Sequence, residues 1–78
     1  MLGFFKKNKR KVLLDLDGNE INEGDIVESL RYDMGESKLI LTDEGFVYES
    51  LKDGRQVSYL RMIDAATERQ KVKVMNQD

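Results

Sequence analysis

Five of the six glycines divide the chain into short segments, and most of the five stand beside an acidic or amide residue. The five are Gly18, Gly24, Gly35, Gly45 and Gly54, and from Gly24 onward they are 11, 10 and 9 residues apart. Glycine accepts the positive φ of a tight turn, and a neighbouring Asp or Asn favours the same conformation. Turns repeated at such intervals are typical of small sandwiches, meanders and barrels built from β-strands.

The segments between these glycines alternate apolar and polar residues with the period of a β-strand. Two apolar faces are predicted to point inward, formed by Val12, Leu14 and Leu16 and by Ile26, Leu30 and Tyr32. The apolar run at 39–41 predicts a central strand, and a further segment at 46–48 follows a turn at 43–45. Residues 56–63 and 71–75 again alternate apolar and polar positions. One helical turn is expected at 64–68, with Asp64 as its N-cap.

The pattern predicts an all-β fold, namely a small SH3-like, partly open barrel of five or six short antiparallel strands. The 78 residues suffice for one domain. We place that barrel domain at residues 12–78, after a basic N-terminal tail at residues 1–11. An OB-like barrel is the alternative, and it is less favoured because it usually carries a longer helix between strands.

Charge separates the basic N-terminal tail from the rest of the chain. The tail has no acidic residue and five basic ones, Lys6, Lys7, Lys9, Arg10 and Lys11. Residues 12–78 contain 8 basic and 15 acidic residues, a net charge of −7. Because phosphate binding needs clustered Lys and Arg, nucleic acid is not the expected partner of this acidic body. We expect a partly ordered or disordered tail whose aromatic residues pack on the body or are solvated. The alternative is an anchor that contacts an anionic membrane surface through its apolar residues.

The chain lacks the residue types that most enzyme and metal sites use. It contains no cysteine and no histidine, which excludes disulfides, cysteine-bound zinc and the commonest general base. The segment Val12 to Asn19 resembles the first motif of the haloacid-dehalogenase phosphatases, with Asp15 and Asp17 in the acidic positions. That family needs a doubly wound α/β domain, which this chain is too short to form. We therefore expect no enzyme activity, no metal and no cofactor, and we interpret the segment as a strand that enters a turn.

A second resemblance covers about a dozen residues between Asp17 and Ser29. This stretch is similar to the opening of YopX-like phage-associated proteins and of several small SH3-like modules. The matching residues are Gly18, Glu20, Ile21, Glu23, Gly24, Asp25, Ile26 and Val27. The resemblance implies a barrel and an origin in a mobile element, and it carries over no catalytic residue.

Tyrosine and arginine are favoured at binding hot spots, and the chain contains several of them between positions 31 and 61. The candidate binding residues are Arg31, Tyr32, Tyr59, Arg61 and Met62. Leu60 and Met62 would form an apolar patch beside Arg61 if both face outward. The hypothesis is a non-enzymatic module that binds another protein or a second copy of itself.

Two alternatives to that hypothesis remain, and both depend on the basic N-terminal tail. One is a nucleic-acid-associated accessory domain, and the other is association with a membrane surface. No apolar run approaches the length of about 20 residues that a transmembrane span needs, so we expect a cytoplasmic protein.

Overall fold

The computed structural model describes residues 12–75. The basic N-terminal tail and residues 76–78 lie outside the described part. Within it, seven strands follow one another: β1 (Leu13–Leu14), β2 (Glu20–Ile21), β3 (Ile26–Ser29), β4 (Gly35–Thr42), β5 (Gly45–Ser50), β6 (Gln56–Ser58) and β7 (Val72–Val74). A 3-10 helix, Tyr59–Met62, separates β6 from β7, and the described residues form no α-helix.

Five of the strands form one antiparallel sheet in the order β6-β5-β4-β3-β7, and β1 and β2 form a separate hairpin. The central strand is β4, which places Lys38 opposite Ile26 of β3 and Leu39 opposite Tyr48 of β5. The predicted all-β fold and the predicted central strand at 39–41 are therefore confirmed. The described residues make a five-stranded and a two-stranded sheet and do not close into a barrel.

The glycine turns form at the predicted places. Gly45 has a φ of 115° in the turn between β4 and β5, a conformation that residues with a Cβ rarely adopt. The turn between β3 and β4 is different because two residues with side chains, Tyr32 and Asp33, have positive φ of 61° and 54°. Non-glycine residues in this region carry a conformational cost, so other contacts must hold this turn.

The core lies between the hairpin and the inner face of the sheet. Its buried apolar residues are Leu13, Ile21, Val27, Met34, Leu39, Tyr48, Met62 and Val72. Two of the predicted inward faces were therefore wrong by one residue. Leu13 is buried while Val12 is exposed, and Val27 is buried while Leu30 and Tyr32 are exposed.

The end of the chain departs from the predicted alternation for a local reason. The strand at 56–63 stops at Ser58, whose hydroxyl oxygen accepts a hydrogen bond from the Leu60 N–H and caps the 3-10 helix. Leu60 then faces solvent while Met62 is buried. The predicted turn at 64–68 forms, because the Asp64 carbonyl accepts the Glu68 N–H at 2.7 Å, but it does not continue into a helix. The clean alternation in β7 is confirmed.

Candidate functional site

The structure brings two of the sequence-predicted binding residues together. The Arg31 guanidinium donates a hydrogen bond from Nη1 to the Arg61 carbonyl oxygen at 2.6 Å. This bond joins the turn after β3 to the 3-10 helix. The Arg31 side chain therefore contacts backbone of its own chain, whereas the Arg61 side chain is exposed.

Tyr32 lies in the strained turn after β3 and has an exposed side chain. Arg55, which the sequence did not single out, supports this turn from the opposite loop. Its Nη2 donates to the Tyr32 carbonyl at 3.1 Å and to the Asp33 carbonyl at 3.2 Å, while its Nε donates to Asp53. The positive-φ pair is thus held by one arginine, which explains how a turn without a central glycine persists.

The remaining two predicted residues belong to the same 3-10 helix as Arg61, but their side chains contact other parts of the fold. Tyr59 packs edge-on against Phe46, with ring centroids 6.3 Å apart and ring planes at 90°. Met62 is fully buried in the core, so it cannot contribute the exposed apolar patch that was expected beside Arg61. Its burial follows from the 3-10 helix, which turns Leu60 outward and Met62 inward. The predicted set is therefore not one continuous surface.

Asp15 forms a buried polar site that the strand prediction missed. One carboxylate oxygen accepts the N–H groups of Asp17 and Asn19 at 2.9 and 2.8 Å, and the other accepts the Val74 N–H at 2.8 Å. We call these four residues the Asp15 corner. Burial alone raises the pKa of Asp15, but the hydrogen bonds together outweigh it, and the pKa lies below its ordinary value of 3.8.

A second buried hydrogen bond lies close to the Asp15 corner. The Tyr48 hydroxyl donates to Gln70 Oε1 at 2.8 Å, and the Gln70 N–H donates to the Leu14 carbonyl at 2.8 Å. Burial raises the pKa of Tyr48, and the negative charge of Asp15 raises it further. Every buried side-chain polar atom of residues 12–75 has a partner, so this region stabilises the fold. The same residues contain no cluster of acidic side chains that could hold a metal ion.

An open cleft of about 500 Å³ lies where the β1–β2 hairpin and the residues after it meet β4 and β5. Its lining consists of Val12, Glu20, Ile21, Asn22, Glu23, Leu41 and Phe46, which we call the apolar cleft. Val12 is 61% exposed and Leu41 is 52% exposed, although both are large apolar residues. Leu41 and Phe46 are directly opposite each other on β4 and β5. Apolar side chains left open in a concave surface are typical of a binding site.

The charge of the apolar cleft is negative. Glu20 and Glu23 are exposed, and the lining contains no basic residue. A ligand with an apolar side chain and a nearby positive charge would complement both properties of this surface.

The backbone of β4 also reaches the apolar cleft with an uncovered edge. Leu39 directs both its backbone groups to one side, where its N–H donates to Asp25 O at 3.0 Å and its carbonyl accepts the Gly24 N–H at 2.7 Å. Alternate residues of a strand direct these groups to the same side, so those of Leu41 point the same way. Beside Leu41, the segment that borders β4 has already turned away at residues 22–25. Leu41 therefore forms no backbone hydrogen bond with residues 12–25.

One feature of the sequence indicates where the apolar cleft lies. Leu41 and Phe46 flank the turn at 43–45, and a hairpin with such a short turn places them opposite each other. The exposure of Leu41 could not be predicted in this way, because it follows from the place where the segment beside β4 turns away.

Comparison with models of known protein families, with curated proteins and with solved structures found no match. In the described part of the chain, no helix has the length and apolar character needed to cross a membrane.

Proposed function

We propose that this domain is a non-catalytic interaction module that binds a short, extended peptide segment of another protein in the apolar cleft. The observation that carries the proposal is the coincidence of two features at Leu41. Its apolar side chain is half exposed, and its backbone edge has no partner among residues 12–25.

An extended peptide would satisfy both features at once. Peptides that add to a sheet edge gain affinity from backbone hydrogen bonds and specificity from pockets for alternate side chains. The apolar cleft has the volume of a typical ligand pocket, and Phe46 and Ile21 supply its apolar lining. Glu20 and Glu23 favour a peptide that carries Lys or Arg near its apolar residue.

For the fold of the module we propose a partly open SH3-like barrel. The sheet of five short antiparallel strands supports this proposal, because five or six such strands are the number expected for a barrel of this kind. The Leu16 N–H also donates to the Val72 carbonyl at 3.2 Å, so the hairpin segment covers the outer edge of β7. The YopX-like resemblance and the cytoplasmic location stay predictions.

The experiment is a selection of random 12-residue peptides on the immobilised full-length protein, followed by fluorescence polarisation with the enriched peptides. We expect enriched peptides to combine an aromatic or large aliphatic residue with Lys or Arg. Leu41→Glu should weaken their binding at least about tenfold, which corresponds to about 1.4 kcal/mol. Leu60→Glu is the matched control, because Leu60 is a leucine of similar exposure outside the apolar cleft.

The same assay decides between the apolar cleft and the surface around Arg61. If Arg61→Glu abolishes binding while Leu41→Glu leaves it unchanged, the peptide binds beside the 3-10 helix and the proposed site is wrong. A selection that enriches no peptide on the wild type, on Arg61→Glu or on the double variant Phe4→Ser, Phe5→Ser contradicts the peptide-binding function itself.

A further inference from the structure

We propose that the apolar cleft is occupied within the same molecule by the basic N-terminal tail, which acts as a built-in competitor of the partner peptide. The inference rests on the proposed function of the cleft. It names the first occupant of that site and the way in which access to the site is controlled.

Connectivity supports this occupant. Lys11 is joined directly to Val12, and Val12 lines the apolar cleft. Phe5 precedes Val12 by seven positions, and that stretch spans up to about 25 Å when extended and much less when folded back. The tail therefore reaches the cleft without any movement of the described fold.

The chemistry of the tail complements the cleft. Phe4 and Phe5 supply large apolar groups, and they are followed by five basic residues with no acid among them. The cleft offers the apolar surface of Leu41 and Phe46 and the carboxylates of Glu20 and Glu23. Opposite charges on the tail and on the cleft favour this contact.

Covalent attachment decides between this occupant and the tail of a second copy. A ligand on a short flexible tether experiences an effective concentration of about a millimolar, far above that of a dilute second copy. A contact with an intrinsic dissociation constant of about 0.1 mM would then leave the cleft roughly 90% filled. A partner peptide would have to displace the tail.

The test uses the absence of cysteine from the chain. Gly3→Cys provides a single site for a nitroxide spin label in the otherwise full-length protein. We expect paramagnetic broadening of the amide signals of Glu23, Leu41 and Phe46. The signal of Gly54, at the opposite end of β5, serves as the internal control. The broadening should fall in the double variant Phe4→Ser and Phe5→Ser, and also in Glu20→Lys with Glu23→Lys.

A mixed sample separates binding within a molecule from binding between molecules. Spin-labelled protein without ¹⁵N is mixed with ¹⁵N-labelled protein without the spin label. Broadening of the cleft signals in this sample would overturn the inference, because it would come from the tail of another copy. Equal broadening in the wild type and in the Phe4→Ser, Phe5→Ser variant would overturn it as well.

Peptide affinity separates this inference from the proposed function. The Phe4→Ser, Phe5→Ser variant should bind a cleft-directed peptide about tenfold more tightly than the wild type, since the competitor is weakened. Equal affinities would contradict the inference and leave the proposed function standing. Absence of binding to both proteins would contradict the proposed function.

Discussion

The β1–β2 hairpin segment borders two regions, the Asp15 corner and the apolar cleft, which differ in how completely their polar and apolar groups have partners. In the Asp15 corner, the Asp15 carboxylate accepts three backbone N–H groups and is fully buried. In the apolar cleft, Val12 and Leu41 remain exposed, and the Leu41 backbone has no partner among residues 12–25. The hairpin segment thus contributes residues both to the closed Asp15 corner and to the open apolar cleft.

This difference separates residues that stabilise the fold from residues that are free to bind. A polar group whose hydrogen bonds are all made within the chain has little remaining capacity to bind a ligand, even if its residue type is common in active sites. The Asp15 side chain has the residue type of a catalytic nucleophile, yet its oxygens accept three backbone N–H groups and the side-chain amide of Asn19. The apolar cleft has ordinary residue types and unmatched surface, and that makes it the candidate interface.

The largest expected effect is at the Asp15 corner. Asp15→Ala leaves the N–H groups of Asp17, Asn19 and Val74 without their acceptor, and we expect a loss of about 4 kcal/mol in the free energy of unfolding. Urea denaturation followed by circular dichroism measures it. Asp17→Asn is the control, since Asp17 is exposed and only reaches Lys73 at 3.9 Å. A loss below about 1 kcal/mol for Asp15→Ala would contradict the proposed role of the corner.

Two leucines on β4 provide a sharper comparison. Leu39 is buried and Leu41 is half exposed, although they are only two residues apart. Leu39→Ala should lower the free energy of unfolding by about 3 kcal/mol because it leaves a cavity, whereas Leu41→Ala should change it by less than about 0.5 kcal/mol. Equal losses in urea titrations would show that Leu41 belongs to the core and that the apolar cleft is closed in solution.

Tyr48→Phe tests the second buried hydrogen bond. The change removes the hydroxyl that donates to Gln70 Oε1 and should lower the free energy of unfolding by about 1 kcal/mol, since the ring remains in place. Tyr32→Phe, at an exposed tyrosine, should have no measurable effect. A stabilised Tyr48→Phe protein would mean that the hydrogen bond does not offset the burial of its polar groups.

The smallest effect is the dependence of stability on pH. Because the pKa of Asp15 is lower in the folded state than its ordinary value of 3.8, its contribution is complete above that value. The contribution is lost as pH falls through the lower, folded pKa. Stability of the wild type should therefore decline more steeply than that of Asp15→Asn between about pH 4 and pH 2. Parallel declines in urea midpoints would show that Asp15 does not titrate differently on folding.

The turns could be predicted from the sequence because their cause is local. Gly18, Gly24 and Gly45 all have positive φ in the structure, as the glycine spacing and the acidic or amide neighbours indicated. The central strand at 39–41 followed from the same spacing, since a run of apolar residues between two turns has few alternatives. A local cause acts within a few residues, and the sequence displays it directly.

The faces of the first strands could not be predicted by alternation, because contacts distant in the sequence decide them. Alternation placed Leu14 and Leu16 inward, but the structure buries Leu13 and Asp15. Asp15 lies inward because Val74, 59 residues later, donates to it. One local feature did indicate a turn here, because an Asp side chain often accepts the backbone N–H of the residue two positions later, which for Asp15 is Asp17. Met62 was misplaced for a similar reason, as the 3-10 helix interrupts the strand period there.

The bond between Asp15 and Val74 also sets an order for events during biosynthesis. A ribosome delivers the carboxylate early and its most distant donor almost sixty residues later. Until Val74 has left the exit tunnel, the first hairpin holds a charged group whose acceptor sites are only partly filled, and water must solvate it. The Asp15 corner is therefore completed only when β7 becomes available to it.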